Sequence, residues 1–185
     1  MTFRPAILFR GDKMHKTILE EYYRLPVERV MKKTGYAVLS EDASIDEVLE
    51  VLIDYGHIWI TEHPGSSKVL GIIARKDFVD MFLPPQLSRK STPGRADSKI
   101  LYYDGVLTKA SDMMTRNIIR VETGTEVLEV LRLMSSHFVR QLPITRHEEL
   151  VGEVSVRDLI LNYLELYKYK RESKGSEEGP CRDSS

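Results

Sequence analysis

The sequence contains almost no cysteine, and this scarcity excludes several kinds of site. The single cysteine, Cys181, lies in a polar stretch of the 185-residue chain. Neither an intrachain disulfide nor a cysteine-based metal centre can form from one thiol. Because cytoplasmic proteins keep their thiols reduced, we expect a cytoplasmic protein.

Long apolar runs are also absent. No run approaches the roughly 18 apolar residues that a transmembrane helix requires, so we expect no membrane association. The first residues include Arg4 and Arg10 but no apolar signal core with a small-residue cleavage site. Apolar residues nevertheless make up 42% of the chain, which is enough for a packed core.

The chain has no excess of charge of either sign. Lys and Arg together number 27, and Asp and Glu number 28, which gives a net charge of −1. Dedicated nucleic-acid binders usually carry a strongly basic stripe. The charge balance therefore disfavours nucleic acid as a partner.

Recognisable catalytic and metal-binding motifs are lacking as well. The sequence has no G-x-x-x-x-G-K-[ST] phosphate loop, no G-x-G-x-x-G fingerprint and no G-x-S-x-G nucleophile elbow. No H-E-x-x-H or H-x-x-x-H pair occurs among the five histidines, which are His15, His57, His63, His137 and His147. We predict no catalytic residue, no metal site and no obligatory cofactor, and hence no enzyme.

What the sequence does contain is an internal duplication. Glu47–Leu52 recurs letter for letter as Glu126–Leu131, and Gly71–Asp77 matches Gly152–Asp158 in pattern. A single three-stranded copy can bury only one face of its sheet. We therefore expect the two copies to pack together about a pseudo-twofold axis.

Each copy follows the order β-α-β-β-α, so the predicted fold class is mixed α/β. Apolar residues at helical spacing predict the helices, and short apolar runs between turn residues predict the strands. The predicted strands are Tyr36–Leu39, His57–Thr61 and Val69–Ile73, and then Ile118–Val121, Val139–Ile144 and Leu150–Val154. The last helix of each copy should begin near Asp77 or Asp158. Ser44 and Glu47 predict a capping box on the first central helix.

The repeats divide the chain into five regions. We predict an N-terminal segment with a short helix (1–24), a first repeat (25–84), a linker (85–107), a second repeat (108–166) and a polar tail (167–185). The linker is rich in Ser, Pro, Lys and Arg, and loops of this length are usually functional or disordered. The tail has no apolar period, so we expect it to be disordered.

Three motifs follow one another in the second repeat. They are Ser111-Asp112-Met113-Met114-Thr115, Arg140-Gln141-Leu142-Pro143-Ile144 and Gly152-Glu153-Val154-Ser155-Val156-Arg157-Asp158-Leu159. With the first repeat, they resemble a tandem cystathionine-β-synthase (CBS) domain pair, also called a Bateman module. The first repeat departs from the family pattern at Ala74, where Thr or Ser is preferred, and at Trp59-Ile60-Thr61, where Leu-Pro-Val is preferred.

The resemblance implies a cytoplasmic regulatory module, commonly homodimeric, that senses an adenosine-containing metabolite and is not itself catalytic. The candidate ligands are AMP, ADP, ATP and S-adenosylmethionine. The regulated protein would be a separate and unknown partner.

The step from Ser155 to Asp158 is a candidate ligand site on physical grounds. A strand that runs into a helix leaves backbone N–H groups that favour phosphate. A carboxylate accepts hydrogen bonds from ribose hydroxyls, and Arg157 can contact phosphate with two donors. The same residues also fit a plain helix cap that needs no ligand, so both interpretations stay open.

The resemblance extends this candidate site and implies a second one. The main ligand-binding residues would be Thr115, Ile119, Val139, Arg140, Ser155, Val156, Arg157 and Asp158. A weaker site would use Thr34, Ala37, His57, Ile58, Arg75, Lys76 and Asp77. We expect it to be weaker because Ala74 has no hydroxyl. Trp59 fits core or dimer packing better than stacking on adenine.

Two other functions remain as alternatives. The first is a ligand-free dimerisation or scaffold module, in which both acidic helix starts serve only as caps. The second is nucleic-acid binding through the basic linker and Arg116, Arg120 and Arg140, for which a steep salt dependence would be required.

Overall fold

The computed structural model describes residues 13–82 and 107–175. Residues 1–12, 83–106 and 176–185 lie outside the described residues, which affects the N-terminal segment, the end of the first repeat, the linker and the tail. The described chain begins with α1 (Lys13–Tyr23), close to the helix predicted within the N-terminal segment.

The first repeat forms a three-stranded sheet in the order β1-β2-β3. Its elements are β1 (Ala37–Ser40), α2 (Ile45–Asp54), β2 (His57–Thr61), β3 (Val69–Ala74) and α3 (Arg75–Phe82). The strands β1 and β2 run parallel, with α2 as the crossover, and β2 pairs with β3 in antiparallel fashion. At the start of α2, the Ser44 hydroxyl accepts a hydrogen bond from the Glu47 backbone N–H at 3.2 Å, which confirms the predicted N-cap.

The second repeat forms another three-stranded sheet, in the order β4-β5-β6. Its elements are α4 (Ala110–Met113), β4 (Val121–Glu122), α5 (Val127–His137), β5 (Gln141–Arg146), β6 (Glu149–Ser155) and α6 (Val156–Gly175). His147 and Glu148 form the turn between β5 and β6, with φ of 51° and 68°. Left-handed angles at both positions are typical of a tight hairpin turn. The predicted mixed α/β class is confirmed.

The first strand of the second repeat is shorter than predicted. The structure has two residues in β4, where the sequence predicts a strand over Ile118–Val121. The chain before β4 bonds to β3 instead: the Ile72 N–H donates to Thr115 O at 3.1 Å, and the Thr115 N–H donates to Ile72 O at 2.9 Å. The Arg120 guanidinium also donates to Val69 O at 2.6 Å. These bonds hold the segment away from its own sheet until Val121.

The described chain divides into two compact units that cut across the sequence repeats. The first comprises 13–31, 124–141 and 154–175 and is called the helical unit, because α1, α5 and α6 make up most of it. The second comprises 32–82, 107–123 and 142–153 and is called the sheet unit. The predicted boundaries follow sequence similarity, whereas these units follow packing.

In the helical unit, α1 packs on α6 through buried aromatic groups. Tyr22 is 3% exposed, and its hydroxyl donates to Leu159 O at 2.7 Å. Burial raises the pKa of Tyr22, so this hydroxyl remains a donor. At the other end of α1, the His15 ring stacks on Tyr167 with 4.5 Å between ring centroids.

The helix α6 continues to Gly175, past residue 167, where the sequence analysis places a disordered tail. Tertiary contacts explain the difference for this part of the tail. Tyr167 stacks on His15, and the Lys170 ammonium lies 2.9 Å from a Glu21 carboxylate oxygen. A sequence window cannot show these contacts, because their partners lie near the start of the chain.

None of the helices within 13–82 and 107–175 combines the length and apolar character needed to cross a membrane.

In the sheet unit, α2, α4 and the first sheet share one core, which includes Ile58, Ile60 and Ile73. Gly71 lies where this core meets the segment after α4. A Cβ atom at Gly71 would lie 2.7 Å from Thr115 O and 2.8 Å from Met114 Sδ. The close pairing of β3 with Thr115 therefore requires glycine at this position.

We expect Gly71→Ala to destabilise the protein by about 1–3 kcal/mol, because the added methyl forces the Thr115 backbone away from β3. Gly56→Ala is the matched control, since a Cβ at Gly56 has nothing within 4 Å. The control should stay within about 0.5 kcal/mol of the parent. Urea unfolding followed by circular dichroism measures both changes. Equal stabilities of the two variants would contradict this view of the contact.

Candidate functional site

The strand-to-helix step at Ser155 is a reciprocal capping box. The Ser155 N–H donates to Asp158 Oδ2 at 2.9 Å, and the Asp158 N–H donates to Ser155 Oγ at 3.2 Å. The Ser155 hydroxyl also donates to Asp158 Oδ2. Asp158 is only 4% exposed. The cap interpretation is thus confirmed, and ligand binding at the same step stays a prediction.

The structure brings Arg140 next to this step. The Val156 N–H, the first of α6, donates to Arg140 O at 2.9 Å. Arg140 and Arg157 are both exposed, and both residues lie at the start of a 20-residue helix. The helix dipole and the two cations all favour an anion there. Of the predicted main site, six residues lie in the helical unit, namely Val139, Arg140, Ser155, Val156, Arg157 and Asp158.

The other two residues of the predicted main site, Thr115 and Ile119, lie in the sheet unit. Thr115 uses both its backbone N–H and its C=O in pairing with Ile72. Both backbone groups of Thr115 therefore already have partners within the chain. A role for Thr115 and Ile119 at a ligand stays a prediction.

The weaker predicted site lies entirely in the sheet unit, and it repeats the acidic cap without the hydroxyl. The Ala74 N–H donates to Asp77 Oδ2 at 2.8 Å, as Ser155 does to Asp158. Asp77 is 3% exposed. Both helix starts therefore use an aspartate as the cap, and only the second has a hydroxyl beside it.

Arg75 of the weaker site has a structural role that the sequence analysis missed. Its Nε donates to Leu52 O at 3.0 Å and its Nη2 to Ile53 O at 2.9 Å. These carbonyls lie in the last turn of α2, where cations satisfy orphan acceptors and complement the dipole. No sequence signal identifies this contact, because it joins residues more than 20 positions apart.

His57 of the weaker site binds a residue that the sequence analysis did not single out. Its Nε2 lies 2.7 Å from Glu153 Oε2, and the Trp59 indole N–H donates to the same oxygen at 2.8 Å. Trp59 is 1% exposed, which agrees with the expected packing role. The sequence contains a signal for this contact. The second repeat has Gly152-Glu153 where the first has Gly71-Ile72, so a carboxylate occupies a strand position that is apolar in the first repeat.

The remaining residues of the weaker site differ in exposure. Thr34 and Lys76 are exposed, whereas Ala37 and Ile58 are buried at 6% and 0%. Only the exposed pair can reach a ligand through side chains without rearrangement of the core.

A family model for the CBS domain matches two segments of the chain, residues 23–83 and 110–165, which together exceed half its length. The chain belongs to the CBS domain family. The two segments contain most of the predicted first and second repeats.

Individual relatives are distant. An uncharacterized 33.4 kDa protein in the ribosomal RNA operon of Thermofilum pendens is 21% identical over 168 residues, covering 87% of this chain and 49% of that protein. The chain thus spans about half the length of this curated relative. The crystal structure of CBSX2 in complex with AMP matches with a TM-score of 0.62 and 17% identity, over 76% of this chain and 97% of that one. The CBS domain pair of MJ0100, in complex with 5′-methylthioadenosine and S-adenosyl-L-methionine, matches with a TM-score of 0.53 and 22% identity, over 75% and 99%. At these identities the likeness shows a shared fold.

Each unit of this CBS pair also has an apolar groove on its helices. The groove of the helical unit has a volume of about 640 Å³ and lies between α1, α5 and α6, with Tyr23, Leu131, Met134, Val156 and Ile160 among its lining residues. The groove of the sheet unit has a volume of about 590 Å³ and is lined by residues of α2 and α3, including Leu49, Ile53 and Phe78. Ile53 and Ile160, which line the two grooves, are themselves exposed.

The difference between the two caps can be tested by exchanging their side chains. We expect Ser155→Ala to lower the free energy of unfolding by about 1 kcal/mol without ligand, because the Asp158 N–H loses its side-chain acceptor. Ala74→Ser, which adds a hydroxyl in the first repeat, should raise stability by up to about 1 kcal/mol. Chemical denaturation measures both. A neutral Ser155→Ala together with a destabilising Ala74→Ser would contradict the capping role.

Proposed function

We propose that this CBS domain pair is a cytoplasmic regulatory module that binds an adenosine-containing metabolite at the start of α6. The observation that carries the proposal is the hydrogen bond from the Val156 N–H to Arg140 O at 2.9 Å. It joins the residue before β5 to the helix start, so that Arg140, Arg157 and the Ser155–Asp158 step lie together in the helical unit. The similar folds of CBSX2 with AMP and of the MJ0100 pair with 5′-methylthioadenosine and S-adenosyl-L-methionine support this ligand class.

Each part of such a ligand has a matching group. Phosphate suits the N-terminus of α6 and the guanidinium groups of Arg140 and Arg157. The ribose hydroxyls suit Asp158, since an ionised carboxylate only accepts hydrogen bonds. Val139 and Val156 provide apolar surface for the base. The module itself has no catalytic role in this proposal, and it acts on a separate protein.

A loss of affinity in Asp158→Ala would identify the ribose contact. We expect the Kd for AMP to rise about 10- to 150-fold, because a hydrogen bond to a charged acceptor contributes about 1.5–3 kcal/mol. Isothermal titration calorimetry measures the change. Ser155→Ala is the matched control, since it breaks the same cap but keeps the carboxylate, and it should bind AMP more tightly than Asp158→Ala.

Two arginine variants distinguish the candidate ligands in the same calorimetric titrations. Arg140→Ala and Arg157→Ala should weaken AMP and ATP but leave S-adenosylmethionine nearly unchanged, since only the nucleotides carry phosphate. The exposed Arg132 is a control, because its ion-pair partner is Glu129 at 3.4 Å on its own helix.

Equal AMP affinity in wild type and Asp158→Ala would exclude this site.

A specific observation favours a homodimer as well. The side chain of Phe138 at the end of α5 is 94% exposed, and its φ is 55°. The register that aligns Ile45 with Val127 aligns Phe138 with Gly56. A bulky residue in the left-handed region is strained, and Phe138 makes little contact within its own chain to offset the strain. We therefore propose that a second copy of the chain buries Phe138.

Phe138→Gly tests the dimer. We expect the dimer dissociation constant to rise by at least about tenfold, since burial of one phenylalanine contributes about 1.5–3 kcal/mol. The monomer should lose no stability, because glycine adopts φ of 55° freely. Analytical ultracentrifugation measures the dissociation constant, with His137→Ala as the neighbouring exposed control. An unchanged monomer–dimer equilibrium would contradict the interface.

The nucleic-acid alternative finds less support among the described residues. Two of its three cationic side chains already have partners in the sheet unit. Arg116 lies 3.6 Å from a Glu41 carboxylate oxygen, and Arg120 donates to Val69 O at 2.6 Å. All three residues are exposed, and Arg140 is the one that lies beside the start of α6.

A further inference from the structure

The buried carboxylate of Glu153 is the most unusual charged group of the sheet unit. Glu153 is 4% exposed, yet its Oε2 atom lies 2.7 Å from His57 Nε2 and 2.8 Å from Trp59 Nε1. Because a carboxylate only accepts hydrogen bonds, His57 donates from Nε2 and Trp59 from its indole. Two donors of the first repeat thus converge on one anionic oxygen from the second.

The backbone holds this carboxylate in place. The Lys32 N–H donates to Glu153 O at 2.8 Å, and the Glu153 N–H donates to Lys32 O at 2.9 Å. Burial, and the negative charge of Glu153, raise the pKa of the nearby Tyr36. A buried charge costs several kcal/mol unless it is paired and hydrogen-bonded. The corresponding Ile72 of the first repeat avoids this cost, so the carboxylate needs a specific explanation.

The neighbouring residues of the weaker predicted site are engaged in a similar way. His57 contacts Glu153, the Arg75 guanidinium caps α2, and the Asp77 carboxylate caps α3. The His57 ring and the Arg75 guanidinium therefore bind parts of the chain itself, Asp77 caps its helix as Asp158 does, and Thr34 and Lys76 are exposed. Glu153 supplies the one anion among these partners.

We propose that Glu153 is a built-in ligand of the weaker site. Its carboxylate occupies an anion-binding pair of donors formed by His57 and Trp59 and so closes that site to an external anion. The statement that nucleotides are excluded rests on the proposed function. The statement that His57 and Trp59 form an anion-binding pair is independent of it. Removal of the carboxylate should expose a pocket for a small carboxylate.

Acetate is the probe for this pocket, because Glu153→Ala removes a CH2–COO⁻ fragment, to which acetate, CH3–COO⁻, is the nearest free carboxylate in size. We expect Glu153→Ala to lower the Tm by several degrees, since the buried Trp59 indole and the partly buried His57 ring lose their acceptor. Acetate at about 50 mM should restore at least half of the loss, because a ligand that binds only the folded state stabilises it by mass action. Chloride at equal ionic strength should restore none. Wild type and Glu149→Ala, which removes an exposed glutamate of the same strand, should not respond to acetate.

The single tryptophan gives a second readout. Trp59 is the one tryptophan of the chain, so its fluorescence and its indole N–H resonance report on this pocket alone. Acetate should shift both signals in Glu153→Ala and neither in wild type. AMP at saturation should leave the wild-type indole resonance in place, since the weaker site is closed.

The outcomes separate this inference from the proposed function. Acetate rescue without any AMP binding would support the anion pair and refute the nucleotide site. AMP binding that moves the wild-type Trp59 resonance would overturn the closure of the weaker site. If Glu153→Ala does not fold in chloride, its refolding yield in acetate gives the same comparison. Recovery in acetate would support the inference, and equal failure in both salts would overturn it.

Discussion

The hydrogen bond from a strand's last backbone N–H to an aspartate three residues later is the interaction on which both repeats depend. It joins Ala74 to Asp77 and Ser155 to Asp158. A helix that begins directly at the end of a strand leaves several N–H groups without partners, and the buried aspartate satisfies one of them at each step. The helix start is thereby held in place. At α6 it lies beside Arg140, which is what makes the step a candidate anion site.

The two repeats share this constraint and differ at a few positions that change their chemistry. The second has a hydroxyl at Ser155 where the first has Ala74, and a carboxylate at Glu153 where the first has Ile72. The first repeat also uses Arg75 to cap its own central helix. The second leaves Arg157 exposed. These differences are the basis for proposing ligand binding at the second repeat and a closed role for His57 and its neighbours in the weaker site.

Local sequence signals predicted the elements well where the contacts are local. The strand His57–Thr61 was predicted with the bounds that the structure has, because a buried apolar run ends at turn residues on both sides. The Ser44 cap and the aspartate caps span three residues each and were also predictable. The contacts of Arg75 with α2, of Glu153 with His57 and of Lys170 with Glu21 were not. Each depends on a partner far along the chain. The pattern of neighbouring residues therefore does not show that the side chain has a structural role.

A crystal structure of the protein grown with AMP tests the central claim most directly. We expect the phosphate to lie at the start of α6, within hydrogen-bonding distance, about 3 Å, of the Arg140 or Arg157 guanidinium group, with the ribose hydroxyls on Asp158. His57 and Trp59 should still hold Glu153. A nucleotide bound at His57 and Arg75, with the start of α6 empty and Asp158 bonded only within its cap, would contradict it.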